Sequence, residues 1–214
     1  MYDTFIIDLD GTLVTHEMDF LAHRTVLEQI LIGYGLPRDK LNWDKSFISS
    51  FDKFKKELDC IGLDGEGVIE ELIESIRRYE TERAHFTREM EGAGKALAYL
   101  RSKGYKIAIV TRNNKEAADI SIDNAGLRKY ADTIITRDDV SAMAPKSAQF
   151  DLALKLLGSL PERTVVVGDY SHEIDAGNAM GCMTIGVLSG SGSRDSLKGA
   201  SIVIDSIKDI IYYF

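Results

Sequence analysis

Short apolar runs alternate with helical patterns from Glu89 onward, and one earlier run, Phe5-Ile6-Ile7, lies near the N-terminus. Short apolar runs predict buried strands, whereas apolar residues three or four positions apart predict helices that cover a sheet. After the first run, the predicted strands are residues 106–111, 133–136, 164–169, 183–187 and 201–204, and the predicted helices are residues 93–103, 115–125 and 147–157. Strands alternating with helices predict an α/β fold, in which a Rossmann-like parallel sheet core is flanked by helices.

Residues 16–88 contain no strand-like run and show helical spacing instead. Apolar residues of one segment fall on one helical stripe, and charged residues occupy the opposite face. The stripe consists of Val68, Ile69, Leu72, Ile73, Ile76 and Tyr79. The pattern therefore predicts a small all-helical cap domain at 16–88, inserted after the first strand of a core domain formed by 1–15 and 89–214.

The first apolar run ends in two acids, in the order Asp8-Leu9-Asp10-Gly11-Thr12. Ionised carboxylates at the end of a buried strand need a cation or hydrogen-bond donors to offset their desolvation. Carboxylates and substrate phosphates together are the usual ligands of Mg²⁺. This segment therefore predicts a magnesium site, with two solvated surface acids as the alternative.

Three other predicted elements carry polar or charged side chains that suit a phosphate and metal site, at two strand ends and one helix start. Thr111-Arg112-Asn113 ends the second strand, Lys146 opens a helix, and Asp169 ends a further strand, with Glu173 and Asp175 close behind. The carboxyl ends of parallel strands meet at one edge of a sheet, so these residues are expected to share one crevice. Other interpretations stay open here: Thr111 ends a strand, Lys146 is a surface lysine, and Glu173 is an acid favoured by the helix dipole.

The order of these segments resembles the haloacid dehalogenase superfamily of phosphohydrolases, in the subclass of phosphoglycolate phosphatases and β-phosphoglucomutase. Asp8-Leu9-Asp10-Gly11-Thr12 reproduces the family motif D-x-D-G-T, and Gly168 to Gly177 resembles G-D-x-x-x-D-I-x-A-G. Two positions depart from the pattern. Glu173 stands where the family has aspartate, and Pro145 precedes Lys146 instead of following it.

The resemblance implies roles for these residues. Asp8 is expected to be the nucleophile and Asp10 the acid/base, with an aspartyl-phosphate as the intermediate. The expected metal ligands of Mg²⁺ are Asp8, Asp10, Asp169 and Glu173. The expected substrate-binding residues are Thr111, Arg112, Asn113 and Lys146. The glycine-rich segment 189–193 is predicted to be a mobile loop beside the site.

Composition restricts the partners. The chain has 214 residues and a formal net charge of −8, and such a charge disfavours nucleic-acid binding. Its two cysteines, Cys60 and Cys182, are far apart and are expected to be reduced packing residues. No signal peptide and no membrane-spanning run is recognised. The sequence thus predicts a cytoplasmic protein, monomer or homodimer, whose partner is a small phosphorylated metabolite.

Three functions are consistent with these observations. The first is a Mg²⁺-dependent phosphatase for phosphoglycolate or a sugar phosphate, and the second is a phosphomutase of the β-phosphoglucomutase type. The third is a non-catalytic regulatory domain whose aspartate accepts phosphate, which the helical insertion and Asp10 argue against. Product analysis separates the first two, since a mutase retains phosphate on the sugar.

Overall fold

A computed structural model describes residues 1–15, 19–44, 47–141 and 144–214, and for residues 20 and 47–49 it describes the backbone alone. The predicted first residue of the cap domain, residue 16, lies outside the described residues. The chain divides into two units, Met1–Glu17 with Ala84–Phe214, and Met18–Arg83. We call them the sheet unit and the helical unit.

The described residues of the sheet unit form one six-stranded parallel sheet in the order β3-β2-β1-β4-β5-β6. The strands are β1 (Thr4–Asp8), β2 (Lys106–Val110), β3 (Thr133–Ile135), β4 (Thr164–Gly168), β5 (Met183–Val187) and β6 (Ile202–Ile204). The predicted α/β class with a parallel sheet is confirmed. β3 ends one residue earlier than predicted because Thr136 caps the short helix Arg137–Asp139.

Helices cover both faces of this sheet. They are α4 (Ala93–Ser102), α5 (Lys115–Asn124), α6 (Lys146–Leu157) and α7 (Ser171–Met180), and the sheet unit also contains short 3₁₀ helices at Arg128–Tyr130, Arg137–Asp139, Pro161–Arg163 and Ile207–Tyr212. The 3₁₀ helix Arg38–Lys40 belongs to the helical unit. Successive residues of a strand point to opposite faces, so both faces require apolar side chains. One face buries Phe5, Ile7, Ile107, Ile109, Val165, Val167, Ile185 and Val187, and the other buries Ile6, Ala108, Val110 and Val166.

The helical unit follows the first strand, as predicted, and consists of α1 (Phe20–Gly33), α2 (Phe47–Cys60) and α3 (Gly65–Ala84), the last residue of which belongs to the sheet unit. Its core contains the predicted stripe residues Val68, Ile69, Leu72 and Ile76. Trp43, the single tryptophan of the sequence, contacts Phe54 edge to face and donates Nε1–H to Glu28 Oε1 at 2.8 Å.

Both cysteines are free thiols. Cys182 is buried, as expected for a packing residue, whereas Cys60 is exposed at the end of α2, so the packing prediction for Cys60 is wrong. Among the described residues, no helix combines the length and the apolar character needed to cross a bilayer.

Candidate active site

The sheet topology brings the predicted site residues of three strands to one edge. β1 lies between β2 and β4, with Asp8 opposite Val110 and Ile7 opposite Val167. β2 and β3 lie on one side of β1, and β4 to β6 lie on the other. In open parallel sheets, ligands bind at such a reversal of strand order, beyond the carboxyl ends of the strands.

Asp8, Lys146 and Glu173 form one buried ionic cluster. Lys146 Nζ donates to Asp8 Oδ1 at 2.8 Å and lies 3.1 Å from Glu173 Oε1. All three residues are buried. Lys146 is the first residue of α6, and Glu173 lies in the first turn of α7, so two helix starts converge on the end of β1.

Glu173 reaches this cluster because α7 lies close to the end of β4. A Cβ atom at Gly168 would lie 2.6 Å from both Cβ and Cγ of Glu173, so only glycine permits this approach. Asp175, the neighbouring candidate, is exposed. Glu173 is therefore the acid of this segment that lies in the cluster.

Burial and neighbouring charges shift the pKa values of the cluster. Burial raises the pKa of Asp8 well above its ordinary value; the charge of Lys146 opposes this rise, and those of Glu173, Asp169 and Asp10 add to it. Burial lowers the pKa of Lys146, but the charges of Asp8 and Glu173 and their hydrogen bonds outweigh burial and raise it. A buried site with several acids and one lysine has excess negative charge.

Asp10 is bound by two residues of the loop after β2. Thr111 Oγ1 donates to Asp10 Oδ2 at 3.0 Å, and Asn113 Nδ2 lies 3.1 Å from Oδ1 and 2.9 Å from Oδ2. Thr111 and Asn113, expected to bind substrate, thus contact the expected acid/base. Their roles toward phosphate stay predictions, as does that of Arg112, which is partly exposed.

Two residues that were not predicted from the sequence hold this loop in place. Gln149 Nε2 donates to the Thr111 carbonyl oxygen at 2.7 Å, and Arg137 Nη1 donates to the Arg112 carbonyl oxygen at 3.0 Å. Both side chains are buried. Gln149 lies three positions after Lys146 in α6, so helical spacing from Lys146 identifies it as a neighbour of the site. No comparable sequence signal marks Arg137.

Asp169, buried at the end of β4, accepts a hydrogen bond from the backbone N–H of Ser191 at 2.6 Å. Ser191 belongs to the segment predicted to be a mobile loop beside the site. Ser189 of the same segment donates from Oγ to the Gly11 carbonyl oxygen at 2.9 Å. The segment therefore makes direct contacts with two of the predicted site segments.

The donor set fits a divalent cation in its chemistry. Glu173 Oε2 and Thr12 Oγ1 are buried without a hydrogen-bond partner in the described part of the chain, and carboxylate and hydroxyl oxygens suit Mg²⁺. The described residues contain no ready-made group of three or more His, Cys, Asp or Glu side chains around one metal position. The ligand set of four acids stays a prediction.

Known proteins resemble this chain over nearly its whole length. Residues 5–187 match the model of the haloacid dehalogenase-like hydrolase family. Pyrophosphatase PpaX from Bacillus mycoides (strain KBAB4) is 30% identical over 216 residues, which cover 98% of this chain and 95% of that protein.

Two solved structures share the fold. The structure of a predicted phosphoglycolate phosphatase from Haemophilus somnus 129PT has a TM-score of 0.68 at 18% identity, covering 99% of this chain and 97% of that one. β-Phosphoglucomutase from Clostridium difficile has a TM-score of 0.65 at 20% identity, covering 98% of this chain and 93% of that one. Together with the matched family model, the central acid strand and the helical insertion lead to one conclusion. The chain is an enzyme of the haloacid dehalogenase-like hydrolase family.

Proposed function

We propose that this enzyme is a Mg²⁺-dependent phosphatase that acts on a small phosphorylated compound through a phosphoaspartate at Asp8. The observation that carries the proposal is the buried contact of 2.8 Å between Asp8 Oδ1 and Lys146 Nζ at the end of the central strand. A carboxylate held by a lysine, among further acids, is a suitable nucleophile for phosphorus once its charge is balanced.

In the first step, an Asp8 oxygen attacks phosphorus and the bond to the leaving oxygen breaks. Lys146 engages Oδ1, which leaves Oδ2 to form the new bond. Asp10 donates its proton to the leaving oxygen and becomes ionised. The products of this step are the free leaving group and phosphorylated Asp8.

In the second step, Asp10 takes a proton from water, and the resulting hydroxide attacks phosphorus. The bond between phosphorus and the Asp8 oxygen breaks, which releases phosphate and regenerates both carboxyl groups. Mg²⁺ held by Asp8, Asp10, Asp169 and Glu173 would supply the charge that offsets repulsion between a phosphate dianion and the acids. Phosphoryl transfer depends on such positioning and charge compensation.

Asn113 is expected to support both steps because its carboxamide contacts both oxygens of Asp10. We expect Asn113→Ala to lower kcat by about 10- to 100-fold, a part of the typical general acid–base contribution. Steady-state kinetics with released phosphate as the readout measure this. Asn124→Ala, an exposed change in α5, serves as the control, and equal kcat values in the two variants would contradict the role of Asn113.

The PpaX relatives make inorganic pyrophosphate the first substrate to test. The 30% identity extends over 98% of the chain, whereas the phosphoglycolate phosphatase and phosphoglucomutase structures are 18% and 20% identical. Pyrophosphate, phosphoglycolate and sugar phosphates all present a phosphoryl group to the same acids. Cytoplasmic location, the lack of nucleic-acid binding, and a monomer or homodimer stay predictions.

The test is an assay of these compounds with Mg²⁺ and with a chelator. We expect phosphate release from at least one of them with Mg²⁺, and its loss with the chelator. Phosphate release that is independent of metal would contradict the proposal. Conversion of a sugar phosphate to its isomer without phosphate release would favour the phosphomutase alternative instead.

A further inference from the structure

Residues 189–192, which we call the Ser–Gly loop, form hydrogen bonds at two strand ends of the candidate site. Ser189 Oγ donates to the Gly11 carbonyl oxygen at 2.9 Å, next to the acids of the first motif. Ser191 N–H donates to Asp169 Oδ2 at 2.6 Å, at the end of β4. One short segment thus bonds to the loop after β1 and to the acid after β4.

Glycines make this close approach possible. A Cβ atom at Gly190 would lie 2.5 Å from Asp169 Cγ and 2.7 Å from Asp169 Cβ. A Cβ atom at Gly11 would lie 2.6 Å from Asp169 Oδ2 and 3.0 Å from Gly190 Cα. All of these distances are shorter than van der Waals contact, so a side chain at position 11 or 190 would collide with its surroundings. The backbone at both glycines therefore lies close to Asp169.

This enclosure restricts the orientation of the Asp169 carboxylate. The backbone N–H of Ser191 binds Oδ2, and Gly11 and Gly190 lie close against the carboxylate, which leaves it little room to move. Groups that orient a metal-binding carboxylate typically contribute a factor of about 10 to 100 to metal affinity. The Ser189 bond in turn fixes the loop after β1 relative to this carboxylate.

We propose that the Ser–Gly loop is a positioning element that preorganises Asp169 and the loop after β1 for Mg²⁺. The inference rests on the proposed function, in which Asp169 is a ligand of that ion. The residues of the Ser–Gly loop act through Asp169 and Gly11. A change in this loop therefore alters the affinity for Mg²⁺ more than it alters turnover at saturating Mg²⁺.

The test measures Mg²⁺ binding to the metal-stripped full chain by isothermal titration calorimetry, without substrate. Gly190→Ala is expected to raise the Kd for Mg²⁺ about 10- to 100-fold, because the added methyl group displaces the carboxylate. Gly199→Ala is the matched control. Its Cβ would lie 3.7 Å from Ile174 Cγ2, an ordinary contact, so its Kd should equal that of the wild type.

Two serine variants keep the test informative if Gly190→Ala does not fold. Ser189→Ala removes the donor to Gly11 and should raise the Kd by a smaller factor than Gly190→Ala. Ser191→Ala retains the backbone N–H that binds Asp169 and should leave the Kd unchanged. A rise with Ser191→Ala as large as that with Ser189→Ala would overturn the assignment.

The outcomes separate this inference from the function on which it rests. Equal Kd values for the wild type, Gly190→Ala and Ser189→Ala would overturn the positioning role and leave the phosphatase proposal intact. A wild type that binds no Mg²⁺ would overturn the metal dependence, and the positioning role with it. Raised Kd values with kcat largely restored at saturating Mg²⁺ would support both.

Discussion

Replacing Asp8 with asparagine is expected to lower turnover by at least about 10⁴-fold, because a carboxamide oxygen cannot form the phosphoaspartate. Phosphate release and mass spectrometry of acid-quenched protein measure the rate and the covalent intermediate. The control is Asp151→Asn, the same exchange at an exposed position of α6, which should retain the wild-type rate. Turnover by Asp8→Asn near the wild-type rate would refute the nucleophile assignment.

The fold of Asp8→Asn should persist, because burial raises the pKa of Asp8 and so disfavours its ionised form in the folded protein. A carboxyl group with a raised folded pKa contributes stability below its unfolded pKa and loses that contribution as the pH rises through the folded pKa. Asparagine does not titrate. The variant should therefore stay folded at neutral pH without metal, because Lys146 keeps its contact with Glu173, and its stability relative to the wild type should fall as the pH falls. Urea unfolding at neutral and acidic pH measures this.

Lys146→Met is expected to reduce both activity and stability. Lys146 is the partner of two buried acids, Asp8 and Glu173, and its removal leaves their charges without compensation. Breaking a buried ion pair on one side costs about 3–5 kcal/mol of unfolding free energy. Lys146 is also predicted to bind the phosphate, and loss of a group with that role lowers kcat by roughly 10²- to 10³-fold. Urea unfolding followed by circular dichroism, together with phosphate release, measures both effects.

The same exchange at Lys155, an exposed residue of α6, separates the loss of the site cation from the general effect of methionine in this helix. The stability lost in Lys146→Met should also shrink at low pH, where protonated acids no longer need a cation. Equal losses in the two lysine variants would show that Lys146 has no special role in the site.

The strand ends of the sheet are the part of the molecule that the sequence predicts best. Asp8, Thr111 and Asp169 each follow an apolar run, and parallel strands bring such ends to one edge. The helical insertion can be predicted from the sequence equally well, because the stripe from Val68 to Ile76 has the spacing of a buried helix face. Four strand boundaries differ by one residue from the prediction, and at β3 the cause is that Thr136 caps the following short helix.

The contacts within the site could not be predicted in the same way. Asn113 has the chemistry to bind phosphate or a carboxylate, and only the path of the loop determines that it contacts Asp10. The Ser–Gly loop lacks periodicity, so nothing in its composition predicts a bond from Ser191 to Asp169. Arg137 is a buried arginine that donates to the backbone carbonyl of Arg112, and no residue type marks such an acceptor in the sequence.

The position of Trp43 provides a built-in optical probe. As the single tryptophan of the sequence, it lies in the helical unit, so its fluorescence reports the melting of that unit, whereas far-UV circular dichroism averages over both units. Coincident transitions by the two methods would indicate one cooperative unfolding event. Separate transitions would indicate that the two units unfold independently. The stability of the sheet unit, and the effect of Lys146→Met on it, would then be measured from the part of the dichroism change that does not coincide with the fluorescence change.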